Sequence, residues 1–315
     1  MSTKAGFCSS DSAPQSLSGI FDRVNTKNRY TGHTIVHLSY CSGDLFGGNV
    51  TRPYTDSKGK PVVQVGLLNA QATLDWIKSQ MKSGGLSSTL SELVVMGCSA
   101  GSIGAQLWAD QVLKQLPWKR AAVIPDSYAG VFPPGSVGPL IYEYGFCSAG
   151  FLSTNLYNKC MNQQLELTEI NNEFQAATKQ VPYSFIQSKT DAVQLSFYMA
   201  VAATTGIPPL VITPTDFYNG VNDIFGGYNQ ANVNFMTYLV DGSQHCFTPM
   251  SLYYEATTKG PHDNGAQTSG QVMYDWVNHF PLGEAETANT RCEEGTESNT
   301  YCAATVSPKS FTEHY

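Results

Sequence analysis

The stretch VVMGCSAGSIGAQLWAD, residues 94–110, sets Ser99 between two glycines at the point where an apolar run gives way to a helical pattern. The preceding ELVVMG is short, apolar and rich in valine, which reads as a buried strand. Beyond the serine, Ile103, Leu107 and Leu113 recur at helical spacing as far as Pro117, which cannot continue a helix. Gly97-Cys98-Ser99-Ala100-Gly101 therefore satisfies G-x-S-x-G where that pattern has a mechanical meaning: a strained strand-to-helix turn that lifts a serine hydroxyl above the end of a sheet. The backbone N–H of Ala100, at the start of the helix, is then placed to stabilise an oxyanion. The same five residues would also suit a plain glycine-rich helix start, so the rest of the chain has to decide between the two.

Working outward, HTIVHLSY (33–40) has the β-branched and aromatic character of a strand and ends at the turn-forming CSGD. Ala70, Leu74, Ile77 and Met81 form one face of a helix that stops at Gly84 and Gly85. AAVIPDSY (121–128) is a strand, Leu167, Ile170, Phe174 and Ala177 mark a helix, and YSFIQS (183–188) and FMTYLVDG (235–242) are further strands. GQVMYDWVNHF (270–280) reads as a closing helix. Strands separated by helices imply crossover connections and a mainly parallel sheet, whose chemistry gathers at the carboxyl ends of the strands. We expect one α/β domain over residues 1–315, with 1–18 and 284–315 in loops.

Composition removes several functions. Charged residues are 14% of the chain, below the roughly 25% usual in soluble domains. The net charge of -7 comes without a lysine or arginine cluster, which argues against nucleic acid and against anionic lipid as partners. The longest apolar stretch, FYMAVAATTGIPPLVI (197–212), is interrupted by Gly206, Pro208 and Pro209 and falls short of the ~20 residues that span a bilayer. The eight cysteines contain no C-x-x-C pair and no zinc-like spacing, so neither a metal nor another cofactor is expected. An even count scattered through loops reads as disulfides, with Cys147 and Cys160 closing one loop and Cys292 and Cys302 another. That usage, with the sequon Asn49-Val50-Thr51, points to export, although MSTKAGFCSSDSAPQ contains no signal core.

A serine hydroxyl is a weak nucleophile until a base takes its proton, and that base is commonly a histidine oriented by a carboxylate. Of six histidines, His33 and His37 precede the serine, His314 adjoins the terminus, and His262 and His279 sit in a polar loop and at the end of the closing helix. His245, in VDGSQHCFTP, follows the last strand through a short turn and is the expected base. For the acid, Asp191 follows the third strand counted from the serine strand, and the order Ser99, Asp191, His245 is that of α/β-hydrolases. Asp126 and Asp241 compete, since each also ends a strand. Asp126 comes one strand early, and Asp241 suits a turn. Cys98 should point away from the exposed tip into a buried structural position. Asp44, in YCSGD, fits the substrate cleft or a turn equally well and receives no catalytic role.

GCSAGSIGA, YCSGD (40–44), GIFDR (19–23), TDAVQ and SQHCFTP together resemble the pectin acetylesterase and Notum family of α/β-hydrolases, over about Gly19 to Phe247. The resemblance implies Ser99 as nucleophile, His245 as base, Asp191 as orienting acid and the Ala100 N–H as one oxyanion donor. It also implies an exported, disulfide-bonded, metal-independent enzyme. One departure stands out: the family's earlier strand, ending in a turn of roughly GGGxCW that supplies the other oxyanion donors, is not found before HTIVHLSY. The N-terminal strands of the fold are therefore expected to be missing, as though the natural beginning were absent. The expected function is a secreted or cell-wall serine carboxylesterase, acting as a monomer, that removes acyl groups, acetyl foremost, from a carbohydrate such as pectin. The alternatives are a Notum-like deacylase acting on a protein-borne lipid, and an impaired homologue that only binds polysaccharide.

Overall fold

The computed structural model of the chain describes residues 18–262, 272–280 and 290–292. A hairpin comes first, β1 (Val50–Thr55) antiparallel to β2 (Pro61–Gln64). Its turn is built by Asp56, whose Oδ1 accepts from the N–H groups of Lys58 and Lys60, and by Gly59 at φ 76°, a left-handed position that glycine adopts without a Cβ penalty. The chain then alternates α1 (Gly66–Ser83), β3 (Leu93–Cys98), α2 (Ala100–Gln115) and β4 (Ala121–Asp126). The helices α3 (Val137–Glu143), α4 (Thr154–Met161) and α5 (Leu167–Ala177) lead to β5 (Tyr183–Ser188). Next come α6 (Ala192–Thr205), α7 (Pro214–Ala231), β6 (Phe235–Val240), α8 (Met273–Asn278) and β7 (Thr290–Cys292).

The strands β3 to β7 form one sheet in chain order, every neighbouring pair parallel. Successive residues of a strand point to opposite faces, and both faces here are covered. Val123, Phe185, Phe235 and Leu239 pack with Phe217, Val221 and Phe225 of α7 on one side. Ile124, Ile186, Met236, Tyr238 and Val240 pack with Trp276 and Val277 of α8 on the other. That two-sided burial explains why β4, β5 and β6 are fully buried along their length. A third cluster joins Phe46, Leu67 and Ala70 to Ile103, Leu107 and Trp108 of α2 and to Leu156, Ile170 and Phe174.

The fold is the expected mainly parallel α/β sheet flanked by helices, and the strands around Ser99 fall where the apolar runs put them. Three differences follow from interactions that a local pattern does not carry. His33–Tyr40 forms no strand: a β-rich composition favours extended backbone, but a strand also needs a ladder partner, and this segment is tied by side chains instead. His33 Nε2 lies 3.1 Å from Glu92 Oε2, and Leu38 packs on the third cluster. The β1–β2 hairpin falls in a stretch to which the sequence pattern assigned no element. Residues 290–292, anticipated as terminal loop, pair with β6 as β7.

Candidate active site

Ser99 adopts φ 58° and ψ -122°, a conformation costing a non-glycine residue about 1–3 kcal/mol, directly between β3 and α2. The turn is tight enough that a Cβ on Gly97 would lie 2.1 Å from the carbonyl oxygen of Gly101, so no larger residue fits there unless the backbone moves. Gly101 itself has nothing within 4 Å of a Cβ position. The two glycines of the motif are therefore unequal: Gly97 permits the close approach, and Gly101 is what it approaches. Ser99 N–H donates to the Asp126 carbonyl at 3.0 Å, and the Ser99 carbonyl accepts from Ser102 N–H at 2.9 Å. Ala100 opens α2, where N–H groups have no intrahelical acceptor and the helix dipole favours negative charge.

Asp191 sits at the N-cap of α6, fully buried, and its Oδ1 accepts from Val193 N–H and Gln194 N–H at 3.0 and 2.9 Å. Its Oδ2 accepts from Gln194 Nε2 at 2.9 Å and lies 2.8 Å from His245 Nδ1. Gln194 is fixed in turn by Gln187 Oε1 at 2.9 Å and by Ala129 N–H at 3.2 Å. Because a carboxylate only accepts, Nδ1 of His245 carries the proton and Nε2 presents the lone pair. That Nε2 is buried and has no hydrogen-bond partner, while the side chain as a whole keeps 15% exposure. It forms no hydrogen bond with Ser99 Oγ in this structure; such bonds are often long before substrate binds.

A covalent link draws the two segments together. Cys98, beside Ser99, is disulfide-bonded to Cys246, beside His245, with a Cα–Cα distance of 5.7 Å. Cys98 thus has a structural role, half-buried rather than buried as expected, with a partner that spacing could not identify. Strain gathers at the same rim: Ser99, Ser127 and Cys246 are non-glycine residues at φ 58°, 59° and 64°. Ser99 and Ser127 directly follow β3 and β4, Cys246 lies in the loop after β6, and strain of this kind persists only where surrounding contacts over-determine the backbone. The Cys147–Cys160 bridge is present as expected, whereas Cys302 lies outside the described residues.

The other candidates are held by other partners. Asp126 is buried at the end of β4 and accepts from Phe247 N–H, Thr248 N–H, Thr248 Oγ1 and Ser127 Oγ rather than from a histidine ring. Burial pushes its carboxyl above the ordinary carboxylate range, against the pull of those hydrogen bonds. Asp241 pairs with Lys189 at 2.6 Å. Asp44 is buried, accepting from Phe46 N–H and, at the start of α1, from Gly66 N–H at 2.7 Å, so it stabilises a turn and a helix end. His37 stacks edge-on to Phe21, His262 is 3.5 Å from Glu255, His279 Nδ1 is 2.8 Å from the Asp275 carbonyl, and His314 lies outside the described residues. Tyr128, beyond β4, is buried in ring contact with Phe132 and Phe197. Its phenol is held well above the usual range by burial and then by the charge of Asp191. Among the described residues no group of three or more His, Cys, Asp or Glu is arranged to hold a metal ion, and no helix is long and apolar enough to cross a membrane.

Comparison with known proteins gives this arrangement a family. The chain is similar in structure to the Wnt deacylase Notum from Drosophila in one crystal form, with a TM-score of 0.50, 16% identity, and 76% of this chain and 69% of that chain covered. Against a second crystal form the TM-score is 0.47 at 17% identity, covering 79% and 71%. At 16% identity the first of these likenesses speaks for the fold alone, that of an α/β-hydrolase. No curated protein matches the chain. The family model for pectinacetylesterase matches residues 1–208, which include Ser99 and Asp191 and end before His245. With well over half of its length matched, the chain belongs to the pectinacetylesterase family of carboxylic ester hydrolases.

Proposed function

We propose that this chain is a serine carboxylesterase that removes acetyl groups from a carbohydrate such as pectin, with Ser99, His245 and Asp191 as its catalytic residues. The observation that carries the reading is the half-buried His245 ring, whose Nδ1 is held by Asp191 at 2.8 Å while its buried Nε2 is left unpaired, on a segment bridged by disulfide to the residue before Ser99. In acylation Ser99 Oγ attacks the ester carbonyl as His245 Nε2 takes its proton, and the oxyanion accepts the Ala100 N–H. The imidazolium, stabilised by Asp191, then gives that proton to the sugar oxygen as its bond to the carbonyl carbon breaks, releasing the sugar as its alcohol. Water, deprotonated by the same nitrogen, attacks the acyl-enzyme, releases acetate and restores the serine.

Family membership supports the acetyl group and the polysaccharide, and the two bridges suit an oxidising location outside the cell or in the wall. The test is hydrolysis of p-nitrophenyl acetate and acetate release from acetylated pectin by the native chain and by Ser99→Ala. Equal rates for the two proteins would remove the assignment. Comparing acetyl with octanoyl and palmitoyl esters checks the substrate class, since turnover that rises with chain length would point to a lipid ester.

A further inference from the structure

We propose that Asp126 is a positioning residue for this reaction, clamping the histidine segment against the serine turn. The inference rests on the proposed roles of Ser99 and His245 and assigns Asp126 no contact with substrate. Its Oδ2 accepts from Phe247 N–H at 2.9 Å, Thr248 N–H at 2.7 Å and Thr248 Oγ1 at 2.7 Å. Its Oδ1 accepts from Ser127 Oγ at 2.8 Å, and the same Ser127 Oγ accepts from Cys246 N–H at 2.9 Å. The three amides that directly follow His245 are thus all held by Asp126 and its neighbour. On its other side Asp126 holds the nucleophile turn, for its main-chain carbonyl accepts from Ser99 N–H at 3.0 Å. One residue therefore joins both halves of the site, through its carboxylate to one and its backbone to the other.

The chemistry of the side chain fits that task. Asp126 has no exposed surface, and a carboxyl group is rarely buried so fully without dedicated partners. Four donors converge on it, and hydrogen bonds to a charged acceptor are roughly twice as strong as neutral ones. Asn at this position would keep the shape but offer a neutral carbonyl on one side and a donor on the other. The segment it holds also contains the strained Cys246, which without firm anchoring would relax toward commoner backbone angles and carry His245 with it.

The experiment compares Asp126→Asn, Thr248→Val and Thr248→Ser with the native chain and Ser99→Ala. The readouts are p-nitrophenyl acetate kinetics normalised to folded protein by circular dichroism, and the labelling rate of Ser99 by a fluorophosphonate. Asp126→Asn is expected to lower kcat on the order of 10-fold with KM unchanged, and to slow labelling in proportion, because misplacement of reacting groups acts on the chemical step. Thr248→Val, which removes one donor, should lower kcat several-fold, and Thr248→Ser, which keeps the hydroxyl, should recover most of it. Folded Asp126→Asn with native kcat and labelling rate overturns the proposal. If that variant does not fold, the Thr248 pair decides: native kcat in Thr248→Val overturns the clamp, and a loss reversed by serine supports it. A native chain that does not hydrolyse the ester, or one matched by Ser99→Ala, is a different failure; it overturns the esterase reading and the clamp with it.

Discussion

Removing the Cys98–Cys246 bridge as Cys98→Ala/Cys246→Ala should cost more stability than removing Cys147–Cys160, and should alone impair turnover. The first bridge spans 148 residues and the second 13. Cross-linking a loop of n residues lowers the entropy of the unfolded chain by roughly 2.1 + 1.5R ln n cal/mol/K, which gives about 5 kcal/mol at 25 °C for the longer span. The same relation gives about 3 kcal/mol for the shorter one. Guanidinium denaturation of the two double variants, followed by tryptophan fluorescence, should therefore separate them by about 2 kcal/mol. The kinetic contrast should be larger, because the long-range bridge joins the neighbours of Ser99 and His245, and a misplacement of 1 Å can cost ~100-fold in rate. Cys147–Cys160 ties the segment before α4 to α4 itself, away from both residues, so its loss should leave kcat on p-nitrophenyl acetate within about twofold after correction for folded protein. Equal kinetics in the two variants would refute the idea that the bridge aligns the site. A larger stability loss from the shorter bridge would refute the loop-length argument.

Asp191→Asn should lower kcat by as much as ~10⁴-fold, the scale seen when the orienting carboxylate of a serine triad becomes an amide; since Asn is as good an N-cap as Asp, the thermal midpoint should barely move, and a large drop in it would undercut the comparison. Gly97→Ala should destabilise the protein by about 1–3 kcal/mol, since its Cβ would meet the Gly101 carbonyl at 2.1 Å, whereas Gly101→Ala, with open space, should be near neutral in the same denaturation assay. Glu92 is pushed up by burial but pulled further down by the charge of Arg29, by His33 and by Arg120, so its folded pKa lies below the unfolded value. Its contribution is thus present above about pH 4.5 and lost as pH falls through the lower folded value, and Glu92→Gln should reduce the thermal midpoint at pH 7 with a deficit that vanishes in acid.

Much of the scaffold was legible because it depends on short-range periodicity. YSFIQS and FMTYLV became β5 and β6 because continuous apolar runs of that length suit a strand buried on both faces. The turn at Ser99 was legible for a similar reason: a strand pattern and a helix pattern meet with one residue between them, and Gly97 supplies the close approach. Helix α6 was harder to see. The run from residue 197 to 212 is apolar on every side, so it shows hydrophobicity without a helical face.

The sequence by itself determined the alternation of strands and helices, the place of the serine turn, and the order in which serine, aspartate and histidine follow strand ends. Strand order ranked Asp191 above Asp126 and Asp241, but the sequence carried no sign of what each carboxylate holds. Tertiary structure gave one of them to the His245 ring, one to the amides behind that ring and one to a lysine. Only tertiary structure, likewise, joined Cys98 to Cys246 and left 33–40 without a ladder partner. The physical reason is range: backbone preference and side-chain periodicity act over a few residues, whereas a buried carboxylate, a thiol or a strand edge finds its partner according to where distant loops return.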